Sequence, residues 1–343
     1  MEDVIVTIID VAQRAGVSVS TVSYTFTGKR PVGSETKARI LRAARELGYC
    51  PTAVPVHKPS RCGMIAVSSP MDETTEYGNW SPFVFNVAKQ LRIHGYDMVL
   101  LTGNDAVTDL IHVCDHSMVD GVLLLGVTVD DDRAFAAGAL PAPVVSIGCA
   151  RRMPRVSAID LDFEQMGRMA VDVMLKAGHR HLLFVGADES AYEQGVNFLV
   201  RTRAAAMAYA KSHDVTVTSM TTAGRDMDAV RGIVDRAFSM DHDITGVLGQ
   251  CGHGVMARLK RAIEERDLLV PGDVSLLELG SFGSGAEFDP PLDEIPLQPY
   301  AMCRHAVDTL MARIERGSAE TCDGIRLIPV SYIRRGSVVS APM

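Results

Sequence analysis

Residues 7–51 read TIIDVAQRAGVSVSTVSYTFTGKRPVGSETKARILRAARELGYCP, and the order of apolar and capping residues in this stretch sets three short helices in a row. Thr7, followed three residues later by Asp10, is a capping-box start, so a first helix is expected to run to about Ala15. Gly16 stops it, Val17 can plug between helices, and Ser18 is a good N-cap for a second helix through Val19, Ser20, Thr21, Val22, Ser23 and Tyr24. In that helix Val22 and Phe26, four apart, face inward. Val19, Ser20 and Tyr24 then point outward, with Ser18, Thr21 and Ser23 at the rim. Gly28, Lys29, Arg30, Pro31 and Gly33 make a basic turn. Ser34 is read as the cap of a third helix whose apolar stripe is Ile40, Leu41, Ala44 and Leu47, and Gly48 ends it. Two helices across a tight glycine turn have helix-turn-helix spacing, and three such helices suffice to hold one of them in a major groove.

Working outward, the 343-residue chain has a net charge of -8, which hides an asymmetry. Residues 1–61 carry nine Lys/Arg against five Asp/Glu, and the remainder carries 25 against 37. A basic head on an acidic body is compatible with DNA, because screening confines surface charge to about 10 Å in physiological salt. The composition, 47% hydrophobic and 22% charged, suits about two globular domains. With no run of eighteen apolar residues, and Asp and Arg where a signal peptide is apolar, the expectation is no membrane partner and a cytoplasmic location. Seven cysteines that never form a CxxC pair read as reduced thiols, with no metal site.

From Met64 onward short apolar strands alternate with amphipathic helices: MIAVSS, DMVLLT, DGVLLLG and PVVSIG, then HLLFVG, VTVTSM, TGVLGQ and VSLLEL. Such alternation implies an α/β class of parallel sheets covered by helices, four strands before the change near Pro154 and four after it, with ligands outside the strand carboxyl ends. Ser81 with Pro82 at the first helical position is expected to open one helix, and residues 162–177 to form another.

The stretch 7–51 resembles the DNA-binding head of the LacI/GalR family of bacterial transcription regulators. The body resembles periplasmic sugar-binding proteins in SPFVFNVAKQL, VDGVLLL, PVVSIG, KAGHRHLLFVG, VPGDVSLLELG and DPPLDEI. The resemblance implies an all-α three-helix head at 1–49, a linker or hinge at 50–61, and a two-lobed, doubly wound parallel α/β body at 62–343 that binds effector and dimerises, its chain crossing near 155–161 and 288–296. By position it places base reading on Val19 and Ser20, a further groove contact on Tyr24, and backbone contacts on Thr7, Ser18, Thr21, Thr36 and Lys37. Tyr24 stands where Arg is common, which removes a bidentate guanine contact. The implied partners are palindromic double-stranded operator DNA, a small-molecule effector and a second copy in a homodimer, with no cofactor; the implied role is a repressor.

Two stretches depart from the family pattern. In the linker AVPVHKPSRC, Pro55 and Lys58 replace the Ala and the wedging Leu of the usual hinge helix and Pro59 follows, so an extended basic linker with little DNA kinking is expected. In the pocket, Arg201 falls where the family grips its ligand, whereas the usual acceptors align with Gly148, Gly252-His253 and Gly280-Ser281. Phe83, Arg201 and His253 are therefore the effector candidates. An Arg201 without acidic partners favours a carboxylate or phosphate, such as an anionic sugar derivative. His179 is read as structural. Two alternatives lack a DNA role: a solitary small-molecule-binding module, and a nucleotide-dependent enzyme suggested by the GxGxxA order of residues 252–257. No GxSxG, HExxH, P-loop lysine or paired catalytic carboxylates occur, so no catalytic residue is assigned and the chain is not read as an enzyme.

Overall fold

The computed structural model describes residues 6–27, 30–49, 61–71, 77–317 and 323–342. Helices α1 (Ile8–Ala15), α2 (Val19–Thr27) and α3 (Ser34–Leu47) form the head. Gly16 and Gly48, both in the left-handed region, end α1 and α3, and Gly33 rather than Ser34 occupies the N-cap of α3. Val11, Val22, Phe26, Ile40, Leu41 and Ala44 are the buried centre, with Val17 and Leu47 partly buried against it. The inward set expected for α2 is thus the observed one, with Thr25 added to it.

The chain continues as β1 (Met64–Ser68), α4 (Tyr77–Ile93), β2 (Asp97–Leu101), α5 (Ala106–Asp115), β3 (Gly121–Leu124), α6 (Asp132–Ala136), β4 (Val144–Ile147) and β5 (Ser157–Leu161). There follow α7 (Phe163–Lys176), β6 (His181–Gly186), α8 (Glu189–Glu193), α9 (Asn197–Ser212), β7 (Thr216–Thr221), α10 (Met227–Met240), β8 (Gly246–Gln250), α11 (His253–Glu264), β9 (Ser275–Leu279) and β10 (Asp293–Ile295). Helix α12 (Pro299–Arg316) and β11 (Ile325–Ile328) complete it. The strands form two sheets, ordered β11-β5-β4-β3-β1-β2 and β10-β9-β8-β6-β7. Every named pair with an assigned register is parallel. Two compact units result, Met1–Asp160 with Pro299–Arg326 and Leu161–Gln298 with Leu327–Met343, so the chain passes between them three times.

Two expectations are corrected. The sheets contain β5, β10 and β11 beyond the eight expected strands: SAIDL carries an Asp, DEI is three residues long, and IRLI lies at an edge with three exposed residues. Pro82 does not open its helix but lies inside α4, whose first described residue is Tyr77. Its ring removes one donor early in a helix, where the loss is confined to a single backbone bond.

Within each unit one buried charged side chain gathers backbone groups. Arg133, 4% exposed, donates to the carbonyls of Ser68 (2.7 Å), Leu125 (3.0 Å) and Gly126 (3.1 Å), just at or after the carboxyl ends of β1 and β3, and pairs with Asp131, the N-cap of α6, at 2.7 Å. In the second unit Asp293 accepts from the backbone N–H groups of Arg335 and Gly336 (2.6 Å each) and Ser337 (3.0 Å), and Arg335 pairs with Glu294 at 2.6 Å.

Helices α7 and α9 meet across Gly167, where an added Cβ would lie 2.3 Å from the Thr202 carbonyl oxygen; at Gly232 of α10 a Cβ would meet nothing within 4 Å. One chemical change should therefore act with opposite signs. Gly167→Ala should cost about 1–3 kcal/mol, through forced separation of two backbones, and Gly232→Ala should gain about 0.5–1 kcal/mol through helix propensity. Urea unfolding midpoints of the two variants measure both.

Candidate DNA interface and effector residues

The outward face of α2 is built by capping at its start. Ser18 Oγ accepts from the Thr21 N–H at 3.2 Å and lies 2.9 Å from Ser20 Oγ and 2.7 Å from Thr21 Oγ1, so three hydroxyls cluster at one helix end. Val19 is 41% exposed and Ser20 is exposed; Thr21 and Tyr24 are half-buried. The Arg30 guanidinium stands over the Tyr24 ring, 5.6 Å from its centroid. Arg30, read from sequence only as part of a basic turn, thereby joins the candidate interface; the signal for it was a cation six residues after an outward-pointing aromatic. Thr7 donates from both its N–H and its hydroxyl to Asp10 Oδ2, at 2.7 Å each, which holds the Asp10 carboxyl below its ordinary range. Thr36 and Lys37 lie on the first turn of α3, and Lys37 Nζ contacts Asp105 Oδ1 and Thr108 Oγ1. Pro55, Lys58 and Pro59 of the linker fall outside the described residues.

The effector candidates divide between the units. Phe83 lies partly buried on α4 in the first, its carbonyl accepting from Cys303 Sγ at 3.4 Å. Trp80, the only tryptophan of the chain, donates from Nε1 to Ser69 Oγ at 2.8 Å, just past the carboxyl end of β1; the sequence reading missed it. In the second unit Arg201 is not unpaired as expected. Its Nε donates to Glu164 Oε1 at 3.4 Å, and its guanidinium is 5.9 Å from the Phe163 ring centroid. Glu164 sits in the first turn of α7, where its charge suits the helix dipole, and that α7–α9 proximity was not visible in linear sequence. His253 opens α11, 43% exposed in its side chain, with Nε2 3.7 Å from Glu287 Oε2 and its ring 4.7 Å from that of Phe288.

The three positions at which acceptors were missing share one property. Gly148, Gly252 and Gly280 follow the carboxyl ends of β4, β8 and β9 with φ of 115°, 76° and 72°. Each strand exit turns through a conformation that side chains seldom adopt. Acceptors appear elsewhere: Glu278 in β9 is 1% exposed and stands in register with Glu294 of β10. Glu294 accepts from Ser281 Oγ at 2.5 Å and from the Gly285 N–H at 3.1 Å, and Glu278 accepts from Ser284 Oγ at 3.2 Å. Burial, and then the neighbouring Glu294 charge, push the Glu278 carboxyl up to about 7. A single Glu inside each of the apolar runs LLEL and LDEI was the available sign.

His179 is structural, as expected. Buried to 1% exposure, it contacts Thr245 Oγ1 through Nδ1 (2.8 Å), and Ser275 Oγ (3.0 Å) and the Val339 carbonyl (3.1 Å) through Nε2. A carbonyl only accepts, so Nε2 carries the proton, and burial holds this imidazole below its usual pKa. His181, Asp241 and Asp243 bring ligand-type atoms within 4.8 Å of one another, but Nδ1 of His181 is hydrogen-bonded to Asp241 Oδ2 at 2.8 Å, which ties the start of β6 to the turn after α10.

Comparison with known proteins agrees with this division. Residues 7–52 match the family described as bacterial regulatory proteins, lacI family, and residues 171–338 match the periplasmic binding protein-like domain. The HTH-type transcriptional regulator CelR of Thermobifida fusca is 27% identical over 337 residues, covering 94% of this chain and 95% of its own. The HTH-type transcriptional repressor PurR of Glaesserella parasuis serovar 5 is 25% identical over 337 residues, 93% of each chain. Among solved structures, a CelR–cellobiose complex superposes with a TM-score of 0.69 at 21% identity, covering 97% of this chain and 99% of that one. The lac repressor dimer bound to operator and the anti-inducer ONPF does so at 0.67 and 20%, with the same coverage. These superpositions establish the shared fold.

The Glu278 carboxyl yields a pH prediction. The folded chain holds this proton to about pH 7, whereas the unfolded chain releases it near 4.5, so stability falls as pH rises through that window. Glu278→Gln removes the penalty. Its Tm should match that of the wild type near pH 4 and exceed it by a few degrees at pH 8 in thermal unfolding series.

Proposed function

We propose that this chain, a transcriptional regulator of the lacI family with a periplasmic-binding-protein-like body, represses transcription by inserting α2 of two protomers into successive major grooves of a palindromic operator. The observation that carries the reading is the outward face of α2, where exposed Val19 and Ser20 lie beside the hydroxyls of Ser18 and Thr21, while Val22 and Phe26 anchor the opposite face. Small hydroxyls reach base edges and phosphates alike, and Tyr24 supplies an apolar edge for a thymine methyl. Thr7, Thr36 and Lys37 act on the DNA backbone. In this reading residues 1–49 bind DNA, 50–61 form an extended basic linker, and 62–343 bind effector and dimerise. A chromosomal DNA partner supports a cytoplasmic location; separately, among the described residues no helix is long and apolar enough to cross a membrane.

For the effector we assign Arg201 and His253 in the second unit and Phe83 in the first. Pairing of Arg201 with Glu164 alters the chemistry expected from sequence, because a neutralised guanidinium no longer selects an anion. A donor beside an acceptor suits vicinal hydroxyls, and the relative CelR is described in complex with cellobiose. A neutral saccharide is therefore favoured over a sugar acid or phosphate.

Two measurements test this. On its own promoter region the protein should protect a palindrome of about 14–20 base pairs, and Ser20→Ala with Tyr24→Ala should weaken that binding about ten- to hundredfold. Loss of sequence-selective protection in the wild type would refute base readout by α2. In the second, calorimetric binding of cellobiose and other neutral disaccharides should exceed that of sugar phosphates and vanish in Arg201→Ala. A response to phosphates alone would reverse the assigned class.

A further inference from the structure

The head does not hang free of the first α/β unit but rests on two of its helices. Lys37 Nζ lies 2.5 Å from both Asp105 Oδ1 and Thr108 Oγ1 at the start of α5, and only 12% of its side chain is exposed. Arg45, near the end of α3, pairs with Asp132 at the start of α6. Between these polar contacts Phe135 of α6, 3% exposed, joins the apolar cluster made by Val22, Phe26 and Ile40. Lys37 and Phe135 thus join the head to both α5 and α6. The docking surface is also held rigidly, because Arg133, between Asp132 and Phe135, is bonded to three strand-end carbonyls and to Asp131.

This contact uses a residue the DNA-bound head needs. The lysine has one charge and a short reach. It cannot sit on Asp105 and on a phosphate of the duplex at once. We infer that the docked head is a DNA-free resting state of the protein, in which α5 and α6 withhold Lys37 and Arg45 from nucleic acid, and that binding DNA requires the head to leave this surface. The inference rests on the reading of Lys37 as a phosphate contact, given above.

The test uses the full chain and a fluorescein-labelled duplex of arbitrary sequence, about 30 base pairs long, near 0.1 M salt. Asp105→Asn keeps an amide oxygen able to cap α5, Asp132→Asn leaves the α6 cap Asp131 untouched, and together they remove both charges. If docked heads outnumber free ones by about ten to one, this variant should bind the duplex about five- to tenfold more tightly. A control pair, Asp97→Asn with Asp228→Asn, removes the same charge elsewhere and should gain less than twofold. Hydrogen exchange supplies a second readout: amides of 105–110 and 131–136 should lose protection when the duplex is added to wild type, and also in the Asp105/Asp132 variant without DNA. Equal affinity gains in both pairs, with no change in exchange, would overturn the docked state. If none of the proteins binds any duplex, the DNA reading of the head fails, while the exchange difference between wild type and variant still decides whether the head is docked.

Discussion

A parallel sheet covered on both faces leaves a row of backbone groups at its strand ends, where neighbouring loops cannot pair them, and both units depend on meeting that demand. The first unit does so with Arg133, whose guanidinium gathers carbonyls from the exits of β1 and β3 and is neutralised by Asp131. In the second unit the signs are exchanged: Asp293 gathers N–H groups from the incoming C-terminal segment, and Arg335 offsets the adjacent Glu294. A buried charge is tolerable only when paired and fully hydrogen-bonded. The Arg133–Asp131 cluster meets that condition, and in meeting it fixes the loops that leave β1 and β3.

The strand exits and the sheet interior carry different kinds of polar group. In the second unit Gly252 and Gly280 turn through positive φ at two strand exits and contribute no side chain, whereas Glu278 and Glu294 lie in the sheet itself and Glu164 on α7. Carboxylates in a sheet interior have a different character from carboxylates on a loop. They are desolvated, they interact with each other, and one of them retains its proton close to neutrality.

Much of the head was legible in sequence because its signals are local. A Thr-Asp capping box, two glycine stops and a four-residue apolar spacing lie within one helix or turn, and the observed bounds of α1 and the inward positions of α2 follow from them. The eight expected strands were legible for the same reason, most of them lying in a mostly apolar run bounded by polar or turn residues. The missed elements lacked a local signal: β5 mixes an Asp into its run, β10 is too short to show a period, and β11 is exposed at an edge. Arg201 illustrates the other limit. Its position in a helix could be read, but its partner lies 37 residues earlier on another helix, and only the packing of α7 against α9 brings the two together. Lys37 and Asp105, 68 residues apart, were beyond reach for the same reason.

A lysine claimed by two anions also alters what ionic strength does to the molecule. Added salt weakens the hold of phosphates on the head, the ordinary consequence of counterion release. The same salt weakens the hold of Asp105 on Lys37, and so frees heads that would otherwise stay docked. In the docked state proposed above the two influences oppose each other, so the affinity for DNA would fall less steeply with salt than that of a permanently free head with the same basic residues.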